Sequence, residues 1–400
     1  MSGAFKLAWR YIMFHRGRTL ILMGCIFLTL VLPVCLGILL RTFSQQIVAR
    51  AESTPIVVGA RGSQLDLALH AIYFSRAPDS GITFSEVEKV RESGLANPIP
   101  LHVKFKAQGF PVVGTSLAYL PFRGLEIQRG ESLAILGDCL VGSSVAKKLG
   151  VEPGDQILTD RGSVLDLAGE YPLKLNVAGL LQRSDSPDDS AIFVDLKTAW
   201  VIEGFGHGHQ ELEQPDEDGE DESGLVIGQD GNRIVASAAV LPYTEINESN
   251  MASFHFHGQL GDFPITALIA DAPDEKNQTI LEGRYRTSDG AAQLVKPPGE
   301  IRELMALVFQ VKRFFDANAI LVALATLALL GLVVMLSLKL RAREMETMFR
   351  LGCSRGTMMW IQIAELGLVF LAAICLVAIV SAGVWFYADE VVQRCIGSTV

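Results

Sequence analysis

A short basic segment, residues 341–355 (RAREMETMFRLGCSR), sits between two apolar runs at 319–338 and 358–388. Each run has the roughly 20 residues that a helix needs to cross a hydrocarbon core about 30 Å thick. Arg341, Arg343, Arg350 and Arg355, with Lys339 just before them, concentrate positive charge in one short loop. Such an excess orients a loop to the cytoplasm. The pattern predicts a membrane hairpin whose tip, residues 339–357, is a compact charged helix that a soluble partner can grip.

A third apolar run lies at 19–40. It is longer than the core of a secretory signal, and no small-x-small cleavage pattern follows closely, so a retained span is expected. Lys6, Arg10, Arg16 and Arg18 precede it and keep the N-terminus in the cytoplasm. Phe5, Trp9, Ile12 and Met13 share helical spacing with those cations, the signature of an interfacial amphipathic helix contacting lipid. Three spans then place residues 42–318 and the C-terminus outside. Charge divides in the same way. Residues 42–318 hold 23 Lys+Arg against 39 Asp+Glu, a balance of −16, whereas the rest of the chain balances at +6. An acidic outer domain is a poor partner for nucleic acid or an anionic surface. The expected organisation is residues 1–41, an amphipathic helix and span 1; residues 42–318, the outer domain; and residues 319–400, spans 2 and 3 with the basic loop.

Periodicity within 42–318 is mixed. Strands are expected at 54–60, 101–107, 112–120, 173–181, 234–241 and 263–270, with another after the turn VEPGDQI; helices are expected at 84–93, 140–149 and 196–202. The fold class is therefore an α-helical membrane part of three predicted spans with a large α+β extracytoplasmic domain inserted between spans 1 and 2. Phe43, Ile47 and Ala51 carry a helical stripe beyond span 1. Ile301, Leu304, Val308, Val311 and Phe315 carry one into span 2. They read either as a paired stalk or as two ordinary amphipathic helices of the outer domain. Residues 210–223 hold eight acids and almost nothing apolar, so they predict a loop without a core.

Several chemistries are missing. No G-x-x-x-x-G-K-[ST] loop occurs, so the chain has no P-loop of its own, and there is no HExxH or G-x-S-x-G. A non-catalytic subunit without a cofactor of its own is expected. The six cysteines form no CxxC and no disulfide framework. Two histidine pairs stand out, His207 with His209 in GHGHQE and His255 with His257 in SFHFHG. Period 2 puts His255 and His257 on one strand face, with Phe254 and Phe256 on the other. The pairs read either as ligands for a borderline divalent metal or as the wet face of an edge strand. Glu365, alone in span 3, reads as an interfacial acid or as a buried contact between helices.

The arrangement of one span, a large outer domain and an R-x-R-E-M-x-T-x-x-x-L-G-x-S-R loop between spans resembles MacB-type ABC transporter permeases. Their terminal membrane part is FtsX-like, and they include lipoprotein-release permeases and macrolide or peptide exporters. TPIVVGARGSQLDL (54–67), FPVVGTSLAYL (110–120), LGDCLVGSSVAKKLGVEPGD (136–155) and DSAIFVDLKTAW (189–200) resemble the family's periplasmic core domain. The resemblance implies a permease in the bacterial inner membrane, a homo- or heterodimer, working with a separate ABC ATPase subunit that carries ATP and Mg. A periplasmic adaptor is a further implied partner. It also implies transport or efflux driven by motion passed up the stalk, with Arg341, Arg343, Glu344, Met345, Arg350, Gly352, Ser354 and Arg355 as the coupling residues. An FtsX-like regulator of a cell-wall hydrolase and a metal-responsive sensor are the competing readings. The family's fourth span has no counterpart here, because residues 389–400 are too short and polar to cross.

Overall fold

The computed structural model describes residues 2–14, 16–75, 80–160, 172–208, 226–230, 233–236, 244–247, 250–287, 290–340, 342–350, 352 and 354–399. They form two compact units, one of Met1–Val48 and Arg302–Arg394, the other of Ala49–Ile301 with Cys395–Val400.

Among the described residues, three helices are long and apolar enough to cross a membrane, at Thr19–Glu52, Pro297–Leu336 and Met359–Ala388. The helix Ser2–Phe14 precedes them as expected, and Arg16 Nε donates to the Met13 carbonyl at its end. The helix Arg16–Glu52 is continuous through Pro33. Its 37 residues span about 55 Å, far more than a bilayer core requires. The helix Pro297–Leu340 opens on Pro297, whose missing N–H costs nothing in a first turn, and its 44 residues run about 66 Å. Thr29 and Thr326 hydroxyls meet at 3.2 Å, and Ile26 packs with Val369 and Ala373, so the first helix touches both others. Glu365 is buried, which favours a contact between helices over an interfacial acid. The small residues Ala372, Ala378, Ala382 and Gly383 are exposed, whereas Ala373 is fully covered.

The second unit is built on a mixed sheet of eleven strands. Its order is Thr244–Glu245, Leu173–Leu181, Asp138–Val141, Ile192–Asp195, Phe110–Thr115, Asn97–Ala107, Ala267–Asp271, Val57–Ala60 and Ala292–Val295. Ile127–Gly130 and Gln156–Leu158 add to Leu173–Leu181. Both faces are covered. Val57, Val113 and Phe193 point into one cluster with Leu67, Phe74 and Tyr119. Ile56 and Val58 point into another with Trp200 and Leu268, and Ile192 and Val194 into a third with Val145. Burial on both faces is why Val57–Ala60 is apolar throughout and Ile192–Asp195 is apolar up to its last residue. Trp200 is held by edge-on Phe84 and Phe263 rings and donates Nε1–H to the Pro264 carbonyl at 2.8 Å.

Four expected elements differ. The helix expected at 140–149 is a strand, Asp138–Val141, then a helix, Ser143–Leu149. Gly142 separates them because the Asp188 carbonyl passes within 2.4 Å of where its Cβ would sit. The strand at 112–120 stops at Thr115, and the helix Tyr119–Arg123 follows. The strand at 263–270 is split at Thr266, whose hydroxyl donates to the Leu101 carbonyl and accepts from Val103 N–H, replacing ladder bonds. Of 234–241, Arg233–Ala236 is a strand and the remainder lies outside the described residues, as does the acidic segment 210–223. The helices Gln64–Tyr73 and Glu275–Thr287 were not expected; the first buries Leu67, Ala68, Ala71, Ile72 and Tyr73 in a segment apolar nearly throughout, which blurs its period, and the second buries Leu281 in a mostly polar segment.

Candidate coupling sites and a histidine cluster

The basic loop contains the nine-residue helix Ala342–Arg350. Arg350 pairs with Glu346 one turn back at 2.6 Å, and both side chains are exposed. Gly352 has φ +94°, a conformation that side chains disfavour, and its N–H caps Phe349. Ser354 then caps the helix Arg355–Thr399, its Oγ accepting from Thr357 N–H at 3.2 Å. The L-G-x-S run is thus a stop signal followed by a start signal, and it sets a short helix between two spans. Arg341 and the side chains of Arg343, Glu344, Met345 and Arg355 lie outside the described residues.

Along the proposed stalk, Ile47, Ala51, Ile301 and Met305 are buried, and Phe43, Leu304 and Val308 are half-buried. Val311 and Phe315, placed on the same stripe from sequence, are more than half exposed and leave it. Lys312, Asp316 and Ala319 are half-buried instead. Lys312 and Asp316 pair at 2.5 Å. The covered stripe therefore turns polar above Val308.

A buried cluster that sequence reasoning missed sits where the first long helix ends. Arg50 Nη2 lies 2.8 Å from both Asp188 oxygens and 3.2 Å from the Tyr119 hydroxyl. Tyr119 in turn donates to Asp188 at 2.6 Å. Arg123 stacks near the Tyr119 ring and donates to Ser53 Oγ at 3.1 Å. Burial would raise the Asp188 carboxyl, but the Arg50 guanidinium, the Tyr119 hydrogen bond and the Arg123 charge together outweigh it and hold the group below the usual carboxylate range. Burial pushes the Tyr119 hydroxyl above its ordinary value, so it stays a donor. The arrangement ties the helix end to the short helices Tyr119–Arg123 and Pro187–Ser190. The available signal was one arginine inside the stripe I-V-A-R-A, too weak to name its partners.

The histidines form the second cluster. Gly206–His207 pairs antiparallel with His255–Phe256, with His207 opposite His255. The His207, His255 and His257 rings lie 4.7–5.0 Å apart, centroid to centroid. Phe254 and Phe256 face inward, as alternation predicted, and pack against the core. Gly206 and Gly208 make room for them: a Cβ at either would fall 2.7 Å from a phenyl carbon. His209 lies outside the described residues.

No protein-family model matches this chain, and no curated protein matches it. Among solved structures, it is similar to the extracellular domain of the ABC-type transporter YknZ from Gram-positive bacteria, at 11% identity and a TM-score of 0.32 over 60% of this chain and 98% of that one. It is also similar to the periplasmic region of MacB from Actinobacillus actinomycetemcomitans, at 8% identity and a TM-score of 0.34 over 63% and 92%.

Proposed function

We propose that this chain is the membrane permease subunit of an ABC-type transporter. A separate ATPase grips the helix Ala342–Arg350, and its cycle moves the mixed-sheet domain to export or extract a substrate. The observation that carries this reading is a short exposed helix set between two span-length helices by Gly352 and Ser354, in a chain with no P-loop. The sequence resemblance to MacB-type permeases supports it. In this reading, Arg343, Glu344 and Arg350 make charge-assisted contacts with the ATPase. The basic loop and N-terminus face the cytosol, and the sheet domain lies outside a bacterial inner membrane. Helices that outrun the bilayer provide a rigid path for displacement, because packed interfaces switch between discrete arrangements.

Affinity purification of the full chain from native membranes tests it. The expected result is co-purification of an ABC ATPase whose stimulated hydrolysis is lost with Arg350→Glu while membrane insertion is unchanged. Purification without an ATPase sinks the proposal. Co-purification of an ATPase together with a cell-wall hydrolase redirects it to regulation.

A further inference from the structure

We propose that His207, His255 and His257 form a binding site for one divalent ion of the zinc class, independent of the permease reading. Their candidate ligand atoms all lie within 4.8 Å of one another. A tetrahedral centre with Zn–N of about 2.0–2.1 Å needs nitrogens about 3.4 Å apart, so side-chain rotations that move each nitrogen about 1 Å complete it. Strand pairing alone accounts for His207 facing His255. It does not account for His257. Residues two apart on a strand are separated by about 6.7 Å, and diagonal cross-strand neighbours by about 7–8 Å. The His257 ring nevertheless lies 4.7 Å from that of His255 and 4.9 Å from that of His207. The rings converge beyond what the backbone imposes.

The surroundings suit the role. His255 Nδ1 donates to the Ser253 carbonyl at 3.1 Å, which in the neutral ring makes Nε2 the lone-pair nitrogen. Metal-binding imidazoles are commonly oriented by such a bond. The Phe254 and Phe256 rings, seated over Gly208 and Gly206, anchor the opposite face and hold the strand orientation. His207 and His257 are exposed, which gives an ion a route in. Three neutral imidazoles favour zinc, copper or nickel over magnesium or calcium, and leave a fourth position for water. A bound ion would cross-tie the segment after the helix Leu196–Ile202 to the segment before Phe263.

The test uses the detergent-purified full chain, with no histidine tag and stripped with chelator, titrated with Zn2+ alone against a chromophoric competitor. One equivalent is expected at a Kd of about 1 µM or lower. His255→Ala and His257→Asn are each expected to weaken binding about 100-fold. Because His257 is exposed, His257→Asn keeps the test valid if His255→Ala misfolds. Co2+ should give the intense visible bands of a four-coordinate site, absent from both variants. The proposal is overturned if no equivalent binds. It is equally overturned if binding survives both substitutions and is lost only when the carboxylates of residues 211–222 are neutralised.

Discussion

Replacing Arg50 with Met tests the most consequential contact in the mixed-sheet unit. Arg50 and Asp188 are nearly buried, with side-chain exposures of 11% and 1%. The substitution removes the guanidinium contacts to both carboxylate oxygens and to Tyr119. Asp188 keeps Tyr119 at 2.6 Å and Ser186 Oγ at 2.9 Å, so it is not stripped of donors. Breaking one side of a buried ion pair costs about 3–5 kcal/mol, and these surviving bonds place the expected loss near about 3 kcal/mol. That is about a 150-fold rise in the unfolded fraction. Pulse proteolysis of the detergent-solubilised chain across a urea series reads it. The pH dependence has a definite sign. In the wild type, Asp188 is depressed, so its contribution is present above its unfolded pKa of about 3.9 and is lost as pH falls through the lower folded value. Without Arg50, burial raises Asp188, so the folded variant takes up a proton at mildly acid pH. The deficit should therefore shrink from pH 7 to pH 4.5. Arg50→Met with Asp188→Leu should cost less than the two single changes together, by about 2 kcal/mol. A deficit under about 1 kcal/mol, a flat pH profile or strict additivity refutes the reasoning.

Four further outcomes are expected. Gly142→Ala forces a Cβ against the Asp188 and Asp189 carbonyls, at 2.4 and 2.6 Å, and should destabilise by about 2 kcal/mol in the same assay. Gly62→Ala, with nothing within 4 Å, should stay within about 0.5 kcal/mol. Gly352→Val strains the φ +94° turn by about 1–3 kcal/mol and should lower ATPase stimulation in a reconstituted complex, with insertion unchanged; full stimulation would count against that turn setting the coupling helix. In a cysteine-free background, a cysteine at Ser2 should react with an impermeant reagent only after permeabilisation, and one at Glu131 in intact cells; the reverse pattern would invert the topology.

The spans, the short basic helix between two of them and several strands of the mixed sheet were legible in sequence because each rests on local periodicity, whereas Asp138–Val141 read as helix and Ile192–Asp195 and Ala292–Val295 were not expected. Leu173–Leu181 and Leu196–Ile202 match their patterns end to end, since alternation and a capping Asp195 are written within the segment itself. The FHFH alternation likewise showed which side the imidazoles take, but not that His207 would meet them from 48 residues away. That meeting is a register between strands, and register depends on how phenyl rings fill the space over two glycines. The same limit explains Gly142, where a backbone from residues 188–189 decides that a strand ends and a helix begins. It also explains Thr266, which splits a strand by bonding across to Leu101 and Val103. Arg50 shows it most plainly. Its helix was readable from spacing, whereas its partners Tyr119 and Asp188 are 69 and 138 residues distant. Hydrophobic period is a property of neighbouring residues. A buried charge pair exists only once the packed fold has excluded water around both groups.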